Sequence, residues 1–194
     1  DKHDDRHPVV SIDYAFFSSP PGAGDAATSG SEVPVLIVFD RRAKCVFAHL
    51  LKSKSADDPH AADMLTRDLE KLGYSTVILK GDQEHSLKAL MHAVKNKLTG
   101  TMILEWSPVG HSKSNGEIER AIQRVRGMTR TLEEFLELKI EQKISGKWLI
   151  QHSAFLINTF GNGGVPDGLT PYSRWRGRSW KIQLPAFGER IEYM

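Results

Sequence analysis

The chain of 194 residues has a single cysteine, Cys45. One thiol excludes an intrachain disulfide and any cysteine-rich zinc site, and it suits a reducing compartment. No apolar run approaches the length of a membrane span, and no N-terminal apolar segment reads as a signal peptide, so no membrane partner is expected. Charge of either sign is not in excess: the net charge is +2 and the sequence pI is about 8.7. That balance permits a nucleic-acid partner without demanding one. The Ser/Pro/Gly/Ala-rich stretch 18–31 (SSPPGAGDAATSGS) lacks the Gly-rich fingerprint followed by Lys-Ser/Thr, so it reads as a flexible loop and not a phosphate cradle. The first residue is Asp, not Met, and the chain is expected to be cut from something longer. His3 and His7 have metal-compatible spacing, but with no cysteine pair after them a solvated terminus is the simpler reading.

With 40% hydrophobic residues the chain can build one ordinary domain. Residues 9–17 (VVSIDYAFF) predict a strand, with Val10, Ile12, Tyr14 and Phe16 on one face and Ser11, Asp13 and Ala15 on the other. Asp13 in such a strand is costly unless paired, hydrogen-bonded or on a metal. It is either a functional acid or an acid on the open face of an edge strand. Residues 33–39 and 45–51 predict two more strands in a hairpin, with Asp40 as a turn residue. A helix is expected from Asp57-Asp58-Pro59 to Gly73, on a stripe of Met64, Leu65, Leu69 and Leu72. A fourth strand, 74–79, leads to Asp82, which reads both as the N-cap of a helix over 84–98 and as a ligand-binding acid at a strand end.

A fifth strand, 101–106, precedes a polar loop and then the helix around which the chain is organised. That helix rests on Ile118, Ala121, Ile122, Val125, Met128, Leu132, Phe135 and Leu136, and is expected to run to about Lys143 before Ser145-Gly146 breaks it. Glu119, Gln123 and Arg126 share one stripe of it, which taken alone is either a solvated face or a site. Residues 148–160 (WLIQHSAFLINTF) predict a largely buried helix, apolar all round. In 169–181 (LTPYSRWRGRSWK), Arg174, Arg176, Arg178 and Lys181 alternate with Tyr172, Trp175 and Trp180. This suits phosphate contacts plus base stacking, or equally a surface segment packing its aromatics on the preceding helix. Three strands in succession, then alternating helices and strands, argue for an α/β fold with a mixed sheet flanked by helices.

Asp82 follows Asp13 by 69 positions, and Glu119 follows Asp82 by 37. This ordered Asp, Asp, Glu set resembles the catalytic core of retroviral and long-terminal-repeat retrotransposon integrases, of the ribonuclease H-like superfamily, in which about thirty-five residues separate the last two acids. Ser114-Asn115-Gly116-Glu117-Ile118-Glu119 resembles the family's Ser-x-Gly-x-x-Glu motif and selects Glu119 over Glu117. Residues 168–178 (GLTPYSRWRGR) and the helix with Asn158 resemble the segment after the core in copia-like polyproteins. The chain departs from the pattern at Gln83-Glu84, where Asn-Gly is common, at His111 and Lys113, and at Ser173, where Glu is frequent.

The resemblance implies a five-stranded ribonuclease H-like core at 9–162, after a loose lead at 1–8 and before a truncated basic and aromatic segment at 163–194. The zinc module before the family's core and the basic domain after it are not among these residues. Asp13, Asp82 and Glu119 are implied as catalytic residues and as ligands of two Mg²⁺ or Mn²⁺ ions. Asp13 would be shared between the ions, and Asp82 and Glu119 would complete one site each. The implied activity is a DDE-type integrase's 3′-end processing and strand transfer, joining retroelement DNA ends to target DNA in the nucleus. A homodimer or larger homo-oligomer is implied too. Asn115, Gln123, Arg126, Arg174, Arg176 and Arg178 are the candidate DNA contacts. A ribonuclease H-type nuclease on the same fold, or a domesticated, inactive nucleic-acid-binding domain, are the alternatives.

Overall fold

The computed structural model describes residues 7–18, 32–54, 59–108, 115–141, 147–185 and 187–189. Expectations for the N-terminal lead with His3, the 18–31 loop beyond Ser18, the acidic cap at Asp57 and Asp58, the loop with Gly110, His111 and Lys113, and the break at Ser145-Gly146 lie outside the described residues.

The first strand, β1 (Val9–Ser18), pairs along almost its whole length with antiparallel β2 (Glu32–Asp40), and β2 forms a hairpin with β3 (Val46–Leu50). On its other side β1 runs parallel to β4 (Thr76–Gly81), which pairs with parallel β5 (Thr101–Trp106). The order β3-β2-β1-β4-β5 is a five-stranded mixed sheet. Helices α1 (Pro59–Leu72) and α2 (His85–Lys97) lie with one core cluster, and α3 (Gly116–Ile140) and α4 (Lys147–Phe160) with the other. A short α5 (Pro171–Arg176) packs on α4.

β1 is therefore a central strand, which removes the edge-strand reading of Asp13. Val10, Ile12 and Tyr14 join Leu36, Val38, Leu65, Leu79 and Leu87 in one cluster. Ala15 and Phe17 join Ile37, Phe39, Ile118, Val125 and Ile157 in the second. Each fully buried aliphatic side chain contributes about 1.5–3 kcal/mol against its exposed state, so two clusters hold the sheet from both faces. Phe16 keeps its expected face, with Lys54 Nζ lying over both its ring and that of Tyr14, but near the end of β1 it is exposed.

Asp40 is a turn residue, as expected, but also a buried one. Its carboxylate accepts from the N–H groups of Arg42 and Ala43 and from the Tyr74 hydroxyl. Pro59 opens α1, and Gly73, at φ 75°, ends it with its N–H donating to Leu69 and Glu70.

Three expectations need correction. The residue capping α2 is Glu84, not Asp82, and it caps without a side-chain bond. α4 is one-sided: Leu149, Ile150, Ala154 and Ile157 are buried, whereas Trp148 and Phe160 are exposed. Phe135, expected in the buried stripe of α3, is also exposed. At 1.5 Å per residue, the 25 residues of α3 outrun the sheet, and in its last two turns only Leu136 is buried. α3 ends at Ile140 with Glu141 in the left-handed conformation, short of Lys143.

The edge strand β3 is closed by a side chain. Asn158 of α4 accepts from Val46 N at 2.8 Å and donates to Val46 O at 2.7 Å, as a neighbouring strand would. Asn158→Ala leaves two buried backbone groups unpaired, so a loss of about 2–4 kcal/mol is expected in urea unfolding; a loss within about 0.5 kcal/mol would show that water replaces the amide there.

Candidate active site

Ser11 and Lys80 are the last paired residues of the parallel β1–β4 ladder. Two positions further stand Asp13, within β1, and Asp82, exposed just past the end of β4. The 69-residue separation therefore equals the register of the ladder, and the two acids occupy matching places where the strands part. Carboxyl ends of parallel strands, at the point where the chain turns to opposite sides, are where open α/β sheets build ligand sites. Gly81 helps to place Asp82: a Cβ there would lie 2.8 Å from Met91 Sδ and 3.0 Å from Leu87 Cδ2, so only glycine lets α2 pack this close beneath the strand end.

Asp13 is partly buried and accepts a hydrogen bond from Tyr14 N at 2.8 Å. Burial pushes its pKa up to about 6; the negative charges of Asp82 and Glu84 add to this, against the Tyr14 N–H and Lys54. The nearest cation acts only weakly. Lys54 Nζ is bonded to Glu84 at 3.2 Å and lies over the rings of Phe16 (4.6 Å) and Tyr14 (5.1 Å). The site is short of positive charge.

A chain of hydrogen bonds ties the strand ends to α3. Asp82 Oδ1 accepts from Gln83 N, and Gln83 Nε2 donates to Ser107 O at 3.1 Å. Ser107 N donates to Gly81 O at 3.0 Å, and the Ser107 hydroxyl donates to Asn115 Oδ1. Asn115, a candidate DNA contact, thus has a structural role at the entry to α3.

The structure separates the two glutamates of that first turn. Glu117 is bonded to Arg41 and to Lys44 Nζ (3.5 Å), and despite its burial these cations hold its carboxyl below the usual range. Glu119 is exposed. Among the described residues no group of three His, Cys, Asp or Glu side chains is arranged to hold a metal ion. Asp13 and Asp82 come together; Glu119 does not complete a group with them. Two hard oxygen donors in a site lacking cations fit one Mg²⁺ or Mn²⁺. A second ion would need Glu119 to approach.

The basic candidates divide. Gln123 is exposed on α3. Arg126 Nη2 donates to Phe16 O at 3.0 Å, and its guanidinium lies 5.5 Å from the centre of the Phe17 ring, so it braces the end of β1. Arg174 is internal: it donates to Asp167, to Asn162 O (3.1 Å) and to Leu169 O (3.0 Å), and it holds the Asp167 pKa down to about 2. Its Nε and Nη2 donors are bound within the 162–169 turn, and its buried Nη1 is left without a partner. Arg176 stacks on Trp175 at 3.8 Å, and Arg178 is exposed. The aromatics of this segment pack inward. Trp175 Nε1 donates to Lys71 O at 2.9 Å with its ring edge-on to Phe47, and Trp180 meets Phe155 and Tyr172 edge-on. Of the two readings of 169–181, packing describes the aromatics. Sequence reasoning missed Lys54 and Ser107, which no local pattern marks, and it met Glu84 only as a departure from the family pattern.

No protein-family model matches the chain, and no curated protein matches it. Solved structures do. The catalytic core domain of BIV integrase is similar at TM-score 0.56 and 14% identity, over 87% of this chain and 93% of that one. An integrase core of HTLV-2, solved with magnesium in a trimeric form, is similar at TM-score 0.59 and 12% identity, over 87% and 95%. A chain of the simian T-cell lymphotropic virus intasome, in complex with PP2A regulatory subunit B56 gamma, is similar at TM-score 0.65 and 14% identity, over 96% of this chain; this chain spans 59% of that one. The chain thus has the α/β fold of retroviral integrase catalytic cores, as its acid spacing and motifs led one to expect.

A raised Asp13 pKa makes a signed prediction. The folded state holds the proton more tightly than the unfolded chain, so the ionised carboxylate costs stability above about pH 6, and that cost fades as the pH falls towards 4. Without divalent metal, Asp13→Asn is expected to be more stable than the parent at pH 7 by up to about 3 kcal/mol, and the gap should close on acidification. Mg²⁺ or Mn²⁺ should raise the Tm of the parent and not of the variant. Equal melting curves across this pH range would show that Asp13 is not desolvated.

Proposed function

We propose that this chain is the catalytic core of a retroelement integrase: a DDE-type polynucleotidyl transferase that trims DNA 3′ ends and joins them to target DNA. The observation that carries the reading is the register match of Asp13 and Asp82 at the parting of β1 and β4, on a fold shared with integrase cores. Support for a divalent cation comes from the carboxylate pair and its shortage of positive charge.

Asp13 and Asp82 would hold the first ion, and Glu119 the second once it approaches from the exposed first turn of α3. Bound divalent ions supply Lewis-acid stabilisation of phosphoryl oxygens and a nucleophile at neutral pH. Asp13 keeps one place fixed because β1 is clamped on both faces. Asp82 is oriented by the Gln83–Ser107–Asn115 chain, which links its position to the start of α3. Glu117 stays bound to Arg41 and Lys44, leaving Glu119 as the carboxylate available to the site. Gln123, Arg176 and Arg178 remain the exposed candidates for phosphate contact. The expected partners are element ends and target DNA, the expected assembly is a homodimer or larger, and the expected place of action is the nucleus.

One observation favours a second reading, a domesticated DNA-binding domain without catalysis: the three acids do not form one group among the described residues. A disintegration assay on short branched DNA, with Mg²⁺ or Mn²⁺, separates the two. The parent chain is expected to rejoin the strands, and Asp82→Asn to lose at least about 100-fold in rate, the scale for removing an electrostatic stabiliser of the transition state. Rejoining that survives in the variant would exclude this acid from the chemistry. DNA binding with neither metal binding nor rejoining would support the binding module.

A further inference from the structure

The stripes of α3 lead to different surroundings. Ile118, Ala121, Ile122 and Val125 face the core. Glu117, Arg120 and Arg124 lie on one flank, turned away from the Glu119–Arg126 stripe. Between that flank, the β2–β3 turn and the 161–168 loop is a cavity of about 560 Å³, lined by Lys44, Glu117, Arg120, Gln123, Arg124 and Gly163 among others.

Its charge is lopsided. Lys44, Arg120 and Arg124 line it with one acid, Glu117, whose carboxylate is already shared by Arg41 and Lys44. Arg120 is exposed, and Arg124 is partly buried with its guanidinium 5.6 Å from the centre of the Phe39 ring. Burial and the neighbouring Arg120 push the Arg124 pKa down, the mark of a cation held where another cation repels it. At the Gly163 wall lies a further donor. Arg174 Nη1 is buried without a hydrogen-bond partner, and a Cβ on Gly163 would lie 2.8 Å from it and 2.9 Å from Lys44 Cβ. Arg120 and Arg124 stand one helical turn apart, about 6 Å along the axis. Two cations so spaced match successive charges of a chain better than one small anion. Gln123 joins the cavity to the stripe that carries Glu119.

We propose that this cavity is a second phosphodiester-binding track, in which Arg120 and Arg124, with Lys44 on the opposite wall, hold the backbone of duplex DNA as it leaves the catalytic face over Gln123. The inference rests on the DNA-transfer reading above. It assigns DNA contact to residues on the flank of α3 away from the acids, so sequence-independent grip and chemistry are separable.

The test is fluorescence anisotropy of a labelled duplex of about 20 base pairs and arbitrary sequence, titrated with the 194-residue chain in EDTA at several salt concentrations. Arg120→Ala/Arg124→Ala is expected to weaken binding about 10–100-fold near 0.1 M salt. It should also lower the slope of log K against log salt by about 1.8, the release expected for two phosphate contacts. Glu117→Gln is expected to act in the opposite sense and tighten binding, by freeing Arg41 and Lys44. If the double alanine variant fails to fold, Arg120→Lys/Arg124→Lys and Glu117→Gln decide: the lysine pair should keep the parent slope and the glutamine variant should bind more tightly. An unchanged slope in a folded alanine variant, a lysine pair that loses the slope, or no tightening with Glu117→Gln overturns the track. Should Asp82-dependent rejoining persist beside such a result, the transferase reading stands and only the track falls. A lowered slope without rejoining leaves the track and removes the transferase reading. A parent chain that binds no DNA removes both.

Discussion

The short parallel ladder between β1 and β4 is the constraint on which the rest depends. It holds for three residues, Val9 to Ser11 against Ile78 to Lys80, and then the strands part. Asp13 and Asp82 stand in the gap so opened. A longer ladder would bring β4 alongside Asp13 and desolvate both carboxylates further, at a cost to their ionised forms. Beyond the gap β1 cannot drift, because antiparallel pairing with β2 continues to Ser18. β2 itself is buried without a break from Val35 to Asp40. One neighbour leaves to make room for the acids, and the other stays to keep them in place.

The same economy governs α3. Residues two apart on a helix point about 200° apart, so the closely spaced Glu117 and Glu119 cannot share a partner. Glu117 is drawn to Arg41 and Lys44 and fixes the helix entry to the β2–β3 turn. Glu119 falls on the exposed stripe towards the end of β1. Among the described residues, Glu117 is bound in ion pairs with Arg41 and Lys44, and Glu119 is exposed.

Much of this was legible in order along the chain. Alternation in 9–17 marks the strand and both of its faces, and the spacing of the acids anticipates a register that only pairing can reveal. The central position of β1 was not legible, since it depends on partners 14 to 30 residues away in β2 and 69 away in β4. Asp82 reads as a cap as well as a ligand-binding acid, because a carboxylate before a helix commonly caps it; here Gln83 intervenes and Glu84 takes the cap position. The apolar run of α4 could not tell Trp148 and Phe160, at the ends of the helix, from Leu149 and Ile157 beneath it. Arg174 reads as a phosphate ligand in a basic segment, yet the carbonyls of the 162–169 turn and Asp167 take up its Nε and Nη2 donors. Composition shows that a donor exists; only the fold shows what it meets.

That Glu119 stands apart follows from the electrostatics of the pair it would join. Asp13 already has its pKa raised by burial, with the charges of Asp82 and Glu84 adding to the rise, while Lys54 is held by Glu84 and two aromatic rings. A third carboxylate brought to this point would add repulsion in a partly desolvated place and push the Asp13 pKa higher still. On the exposed stripe of α3, Glu119 keeps its hydration and leaves the pair no worse. Positive charge at the Asp13–Asp82 gap would favour its approach, and among the described residues Lys54 is already held by Glu84. Asp13 and Asp82 are thus set by strand register, and Glu119 is carried on a helix whose entry is linked to Asp82 through Gln83, Ser107 and Asn115.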